Sequence, residues 1–374
     1  MNIFDYIDKY GNYSFNEKEF NDIDNLIFSS LIYIDLDKYV SSNLFSKRSI
    51  YNIGKDFFRD YDIKSKSITA TRVGINVLKI IMNKDRYKNL LLYNYSYIGD
   101  INQQFSAVTI DINSNLVYVS FEGTDQLISG WKEDFMMSYK FPVSAQKLAI
   151  NYVNKFFTFG KKKIILGGHS KGGNLAMAAG MYANMFVKNK IVRVYNNDGP
   201  GFRESQFNSI YYNRIKDKLV YIIPNYSVVG LLLKHSDNYI VVKSLKKGIY
   251  AHNLANWMVK DDKLLTTELS SYSSLIDKTV FNWLEKHNDS ERENFVNKLF
   301  LIFDKANIID LIDVMNNKKL IFNLIRNSKE LDNKTRNMLM DFIYLFLNLF
   351  KEAKISEIES FFHNNLNKNM FIKH

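Results

Sequence analysis

The sequence of 374 residues contains no cysteine, only three prolines and only six histidines. The absence of cysteine excludes a disulfide framework, a thiolate metal site and a cysteine nucleophile. The histidines are scattered along the chain, which leaves little for a zinc site, so we expect neither a metal nor a cofactor. With 46% hydrophobic and 24% charged residues, the composition is that of a globular protein rather than a disordered one.

Long apolar runs are also missing. The most apolar stretch near the C-terminus, Met340 to Phe350, contains Asp341 and Asn348 and has about half of the 20 or so residues that a membrane span needs. Asp5 and Asp8 lie where a signal peptide would be basic and then apolar. We therefore expect a soluble protein located in the cytoplasm.

Acidic residues are fewer than basic ones, and the formal net charge is +11. The excess lies in residues 1–264, which hold 35 Lys and Arg against 24 Asp and Glu, whereas residues 265–374 hold 15 of each. Basic and acidic side chains are mostly interleaved, and the densest run, Lys161 to Lys163, directly precedes an apolar strand. Because nucleic-acid binding needs clustered charge, we expect none. A peripheral contact with anionic lipid is compatible with the excess, and the sequence identifies no protein partner.

Secondary-structure signals divide the chain into two regions. Residues 1 to about 40 have a helical pattern, residues 41–100 carry no assignable one, and two alternating runs, Phe105 to Ile112 and Leu116 to Phe121, predict a hairpin. Strands then alternate with helices to about residue 260, in KIILGG, VRVYNN, LVYIIP and YIVVKS, with helices predicted over 144–158 and after KIILGG. This order is typical of an α/β fold with a mostly parallel sheet and helices on both faces.

Beyond residue 264 the strand signals stop. Apolar residues recur there at intervals of three and four, as in Phe295, Leu299 and Phe303, which indicates amphipathic helices. We predict an α/β domain over residues 1–264 and an all-helical region over residues 265–374. All three prolines precede the second region and no linker separates the two, so we expect the helices to pack on the sheet domain.

A candidate nucleophile lies in the sequence Gly168-His169-Ser170-Lys171-Gly172. An apolar strand precedes this G-x-S-x-G motif and a helix of small residues follows it. A serine on such a sharp turn stands clear of the backbone, and the glycines let neighbouring chain pass close by. The alternative is a Gly-rich turn before a buried helix.

A serine hydroxyl needs a base. His169 is expected to point away from its neighbour, and three other histidines fall in the C-terminal region. His252, which follows the last predicted strand, fits the order serine, acid, histidine better than His235, which precedes that strand. For the orienting acid, Asp198 after VRVYNN is the first candidate and Asp237 the second. Asp198 in Asp-Gly-Pro-Gly is also what a plain turn looks like.

The chain then resembles a known family. Phe121-Glu122-Gly123-Thr124, Trp131 and Asp134, the GHSKGG turn and the late histidine are similar to the class 3 (fungal-type) lipases, and most of all to a bacterial branch of α/β hydrolases called Mbeg-like. The resemblance extends over roughly residues 15–260. It implies an α/β-hydrolase fold, Ser170 as nucleophile, His252 as base, and Thr124 with the N–H of Lys171 as the oxyanion hole. Trp131 and Asp134 are implied as supports of the oxyanion loop and of a helix start.

Two departures from the family pattern stand out. Glu122 replaces the usual Arg, and Ser227 stands near the position where class 3 lipases carry their acid. We therefore hold two hypotheses. The first is a serine hydrolase of esterase or lipase type that cleaves a small-molecule or lipid acyl ester through a Ser170–His252–Asp198 triad and an acyl-enzyme. The alternative, favoured by both departures, is a catalytically silent hydrolase fold that serves as an interaction scaffold.

Overall fold

The structure is a computed structural model that describes residues 1–61, 69–99, 104–124, 128–305 and 331–341. Its strands are β1 (Arg48–Ser49), β2 (Leu91–Gly99), β3 (Gln104–Asp111), β4 (Leu116–Phe121), β5 (Lys163–His169), β6 (Ile191–Asn197), β7 (Leu219–Pro224), β8 (Ile240–Val242), β9 (Val259–Lys260) and β10 (Lys263–Leu264). Its helices are α1 (Ile3–Tyr10), α2 (Asp22–Leu31), α3 (Ile50–Asp60), α4 (Thr69–Ile81), α5 (Ile128–Met136), α6 (Ser144–Phe157), α7 (Lys171–Tyr182), α8 (Met185–Lys188), α9 (Glu204–Phe207), α10 (Ile210–Asn213), α11 (Ser271–Lys286) and α12 (Asp289–Lys305).

Within the described ranges, strands β1 to β8 form one sheet in sequential order. Strands β1 to β4 pair antiparallel, and β4 to β8 pair parallel. The predicted hairpin is β3–β4, and the four strand motifs predicted after it are β5 to β8. The α/β-hydrolase architecture expected from the sequence is therefore confirmed. Residues 41–100, which the sequence leaves unassigned, supply β1, β2, α3 and α4.

The sheet has a core on each face because alternate residues of every strand point to opposite sides. Tyr118 and Ile165 belong to the core layer beneath helices α1 to α4. Their neighbours Val119 and Leu166 belong to the layer beneath α6 and α7. With both faces covered, the central strands are apolar throughout, which explains why VYV and KIILGG read as continuous apolar runs.

A buried ion pair ties α2 to the turn between α4 and β2. Arg86 Nε and Nη2 donate to the two carboxylate oxygens of Asp24 at 2.9 and 2.6 Å, and both side chains are fully buried. The guanidinium also donates to the carbonyls of Tyr13, Lys18 and Glu19. Asp24 in addition completes the capping box of α2. This pair therefore holds α2 and the loop before it in one arrangement.

The C-terminal helices contact the sheet domain at α5. Phe135 of α5 and Phe300 of α12 pack edge to face at 5.7 Å between ring centroids, and Arg292 donates to the carbonyl of Ser138. The described part of the region is helical, as predicted, whereas residues 306–330 and 342–374, including most of the Met340 to Phe350 stretch, lie outside the described residues. The described ranges contain no helix that combines the length and apolarity needed to cross a bilayer.

The buried pair gives a stability prediction. Replacing Asp24 by Asn leaves the Arg86 guanidinium buried without its counter-charge, so the free energy of unfolding is expected to fall by about 3 kcal/mol or more. Urea denaturation of the wild type and of Asp24→Asn measures this difference.

The matched control is Asp261→Asn, which breaks the ion pair between Asp261 and Lys9. Both of these side chains are at least half exposed, and exposed pairs contribute little, so this variant is expected to unfold like the wild type. Equal unfolding midpoints for Asp24→Asn and Asp261→Asn would contradict the role of the buried pair.

Candidate active site

Ser170 lies at the turn between β5 and α7 with φ 58° and ψ −135°, a conformation that costs energy for a residue with a side chain. The turn is tight enough to require glycine on both sides. A Cβ on Gly168 would lie 2.3 Å from the carbonyl carbon of Gly172, and a Cβ on Gly172 would lie 2.1 Å from the carbonyl oxygen of Phe121. The predicted role of both glycines is thus visible as close backbone contacts.

The predicted base and the predicted acid meet in space. His252 Nδ1 lies 2.7 Å from Asp198 Oδ2, although 54 residues separate them in sequence. His252 ends a short 3-10 helix, Gly248–His252, after β8. Asp198 directly follows β6 in a positive-φ conformation (51°) and is fully buried. Because neighbouring parallel strands end at the same edge of the sheet, Asp198 lies beside Ser170, whose backbone N–H donates to the Asn197 carbonyl at 3.0 Å.

Ser227 is part of this site although it is no acid. Its hydroxyl donates to Asp198 Oδ1 at 2.5 Å, and the N–H of Gly230 donates to the same oxygen at 3.0 Å. The two donors hold the carboxylate with its other oxygen toward His252. The sequence identifies the position of Ser227 as special but not the role of its hydroxyl, since only the fold brings the end of β7 next to Asp198.

The loop after Asp198 is fixed from the nucleophile helix. Asn174 on α7 donates to the carbonyls of Pro200 and Gly201 at 3.2 and 2.7 Å, and Asn196 Oδ1 accepts the N–H of Gly199. All of these groups are buried, so the turn that carries the acid is held by the same helix that follows the serine.

His169, which the sequence predicts to point away from Ser170, contacts His252 and Tyr33. Its Nε2 donates to the carbonyl oxygen of His252 at 2.8 Å, and the two imidazole rings lie 4.3 Å apart. A carbonyl only accepts, so Nε2 carries the proton and Nδ1 accepts from the Tyr33 hydroxyl, 3.1 Å away. Burial, and then the neighbouring His252, lower the pKa of His169 well below its ordinary value of 6.5. His169 is therefore a neutral residue that fixes the backbone of His252.

The predicted oxyanion residues lie on two sides of the serine turn. Lys171 begins α7, where the first N–H groups have no partner within the helix. The Thr124 hydroxyl donates to Asp134 Oδ2 at 2.6 Å. Asp134 therefore contacts Thr124 from the last turn of α5.

Helix α5 is tied to the site at a second point. Lys171 Nζ lies 3.4 Å from Glu133 Oε2, and both side chains are almost completely buried. Trp131, on the same helix, packs against the cluster formed by the C-terminal helices. The structure thus places Trp131 in the contact with the C-terminal helices.

The alternative base, His235, and the alternative acid, Asp237, do not belong to the group formed by Ser170, His252 and Asp198. His235 Nε2 is 3.3 Å from Asp277 Oδ1 of α11, and Asp237 lines the same small surface cleft as His235. In the described part of the chain, neither hydrogen-bonds to His252 or Asp198. Within the described residues, no group of three or more His, Asp or Glu side chains converges as a metal site would require.

Comparison with known proteins finds one protein family whose profile matches this chain. The sequence profile of the family described as Mbeg1-like matches residues 81–301. No protein of curated function matches the chain. Solved structures with a similar fold include the M37 lipase (14% identity, TM-score 0.33, covering 55% of this chain and 68% of that one). The lipase of Rhizomucor miehei in complex with its propeptide is 11% identical (TM-score 0.37, covering 72% and 78%). The lipase of Rhizopus microsporus var. chinensis is 16% identical (TM-score 0.30, covering 49% and 69%).

The lowered pKa of His169 gives a pH prediction. The unfolded chain takes up a proton at His169 near pH 6.5, whereas the folded protein takes it up only at lower pH, so stability falls as the pH drops below about 6.5. His169→Phe, which cannot titrate, is expected to lose less stability between about pH 7 and pH 5 than the wild type. The difference in slope is at most about 1.4 kcal/mol per pH unit.

Urea unfolding at several pH values measures the two slopes. NMR titration of the wild-type imidazoles should in parallel show that His169 is neutral, with its proton on Nε2, at the pH at which free histidines are already half charged. A His169 resonance that titrates at its ordinary pKa or above would contradict the buried, neutral assignment.

Proposed function

The chain belongs to the Mbeg1-like family, and from this premise and the geometry of the site we propose that it is a serine hydrolase that cleaves acyl esters. The observation that carries the proposal is the 2.7 Å contact between His252 and the buried Asp198 at the sheet edge where Ser170 stands on a strained turn. Strain of this kind persists where the surrounding structure enforces it, as at many functional sites.

In the proposed reaction, Asp198 fixes the tautomer of His252. Since Nδ1 of His252 donates to the carboxylate, Nε2 is left without a proton and able to take one. Ser170 Oγ attacks the ester carbonyl carbon while its proton passes to His252 Nε2. The resulting imidazolium is stabilised by Asp198, which is itself held by Ser227 and Gly230.

The carbonyl oxygen becomes an oxyanion in this step. The N–H groups of Lys171 and Thr124 are the proposed donors, and preorganised donors of this kind typically contribute about 3 kcal/mol each to the transition state. The tetrahedral intermediate collapses when the alcohol takes the proton from His252 and leaves, which yields an acyl-enzyme on Ser170. Water, deprotonated by His252, attacks the acyl-enzyme and releases the acid.

The proposed substrates are esters with an apolar acyl chain. Helix α5 adjoins the proposed oxyanion residues through Thr124–Asp134 and Lys171–Glu133. Its apolar side chains Trp131, Phe135 and Met136 pack against the C-terminal helices, so the part of the chain next to the site is apolar. Val228, Val229 and Leu231, which follow Ser227, are buried and apolar as well.

Labelling with a fluorophosphonate probe tests the nucleophile. The wild type is expected to be labelled and Ser170→Ala to lose the label completely, because the probe reacts only with an activated serine. The control is Ser205→Ala, which removes a serine on the surface helix α9 and should leave labelling intact. An unlabelled wild type would favour the silent scaffold instead, and equal labelling of Ser170→Ala would contradict Ser170 as the nucleophile.

Steady-state kinetics on a short acyl ester test the acid. Asp198→Asn is expected to lower kcat about ten-thousand-fold, because an amide stabilises the wrong tautomer of His252. Ser227→Ala removes one hydrogen bond to a charged group and should lower kcat about tenfold.

The control for both variants is Asp237→Asn, the alternative acid, which should leave kcat and KM unchanged. If Asp237→Asn lost as much activity as Asp198→Asn, or if Asp198→Asn kept full activity, the assignment of the acid would be wrong.

A further inference from the structure

The net positive charge of the chain is concentrated in one segment. Residues 135–197, between Asp134 and Asp198, contain nine Lys and one Arg but no Asp or Glu. Charges are interleaved over the rest of the chain, so this segment of 63 residues accounts for nearly all of the net +11. It comprises α6, β5, α7, α8 and β6, which are neighbours in the fold.

Three large apolar side chains project from the same segment. Phe159 is 88% exposed, Met185 is 72% exposed and Phe186 is 70% exposed. The loop that carries Phe159 is joined to the start of α8, which carries Met185 and Phe186. Asn184 Nδ2 donates to Thr158 Oγ1 at 2.8 Å, and the N–H of Asn184 donates to Asn154 Oδ1 at 2.9 Å. The three side chains therefore lie on adjoining turns and not at scattered surface positions.

Lysines surround these apolar side chains. Lys161 and Lys163 follow Phe159 directly and are exposed, and Lys188 ends the helix that carries Met185 and Phe186. Burial, and then the charges of Lys188 and Lys163, lower the pKa of Lys218, which agrees with a cluster of like charges. Asp111, which pairs with Lys162 beside these lysines, also pairs with Lys47.

We propose that Phe159, Met185 and Phe186, together with Lys161, Lys163 and Lys188, form a docking surface for an anionic lipid membrane. Apolar side chains that enter the interface, ringed by lysines that meet acidic headgroups, are the combination that peripheral membrane binding requires. A nucleic acid would use the lysines but would leave the apolar side chains in water. A second copy of the chain would bring like charges together.

The surface lies at the opposite end of the sheet from the candidate site. Lys163 begins β5 and Ser170 follows its last residue, so the two are separated by the length of a seven-residue strand, about 20 Å. A protein docked through this surface therefore turns the Ser170 side toward the aqueous phase. The inference is independent of the proposed hydrolase activity, because no residue of the surface belongs to the site.

Vesicle sedimentation with the full chain tests the proposal. The wild type is expected to bind vesicles of phosphatidylcholine mixed with phosphatidylserine at least about tenfold more tightly than vesicles of phosphatidylcholine alone, and to be released by salt. The double variants Lys161→Glu/Lys163→Glu and Phe159→Ser/Phe186→Ser should each weaken binding about tenfold or more. Hydrolysis of a water-soluble ester should be unchanged in both.

The matched control is Phe45→Ser, which removes another strongly exposed phenylalanine (92%) on the loop before β1 and should bind like the wild type. Equal binding to both vesicles, or wild-type binding by either double variant, would overturn the proposal. Salt-sensitive retention on duplex DNA that Phe159→Ser/Phe186→Ser leaves unchanged, without vesicle binding, would assign the lysines to nucleic acid instead.

Discussion

The close contact between the carbonyl oxygen of Phe121 and Gly172 is the constraint on which the site depends. It joins the end of β4 to the first turn of α7, and no residue larger than glycine fits between them. Because the start of α7 is held there, the backbone of Ser170 must turn sharply between β5 and α7. It does so in a positive-φ conformation, which points the side chain away from the strand. The energetic cost of that turn is borne by the packed sheet around it.

A second strained residue stands beside the first. Asp198 has a positive φ like Ser170, and the two follow neighbouring parallel strands, β5 and β6. Buried amides link the strand ends, since Asn197 donates to the carbonyl of Gly168 at 3.0 Å and pairs with Asn25 of α2. Buried polar networks are costly unless each group finds its partner. This network therefore fixes the relative position of the serine and the acid more strictly than apolar packing alone would.

The site is also coupled to both ends of the chain. Tyr33, just after α2, holds His169, which in turn holds the backbone of His252. On the other side, α5 connects Thr124 and Lys171 with the packing surface of α12. The N-terminal helices and the C-terminal region are thus structural parts of the site's surroundings. The proposed docking surface, at the opposite end of the sheet, takes no part in these contacts.

The sequence by itself determined what is local: the β3–β4 hairpin, the strand, turn and helix around Ser170, and the position of Asp198 directly after β6. These features follow from the alternation of apolar residues, from small residues at a turn and from the positions where strands end, all of which can be seen within a few neighbouring residues. Tertiary structure decided what joins distant segments. Ser227 binds Asp198 across 29 residues, and His169 meets His252 across 83. Such contacts depend on where strand ends and loops converge, and a pattern of neighbouring residues does not encode that convergence.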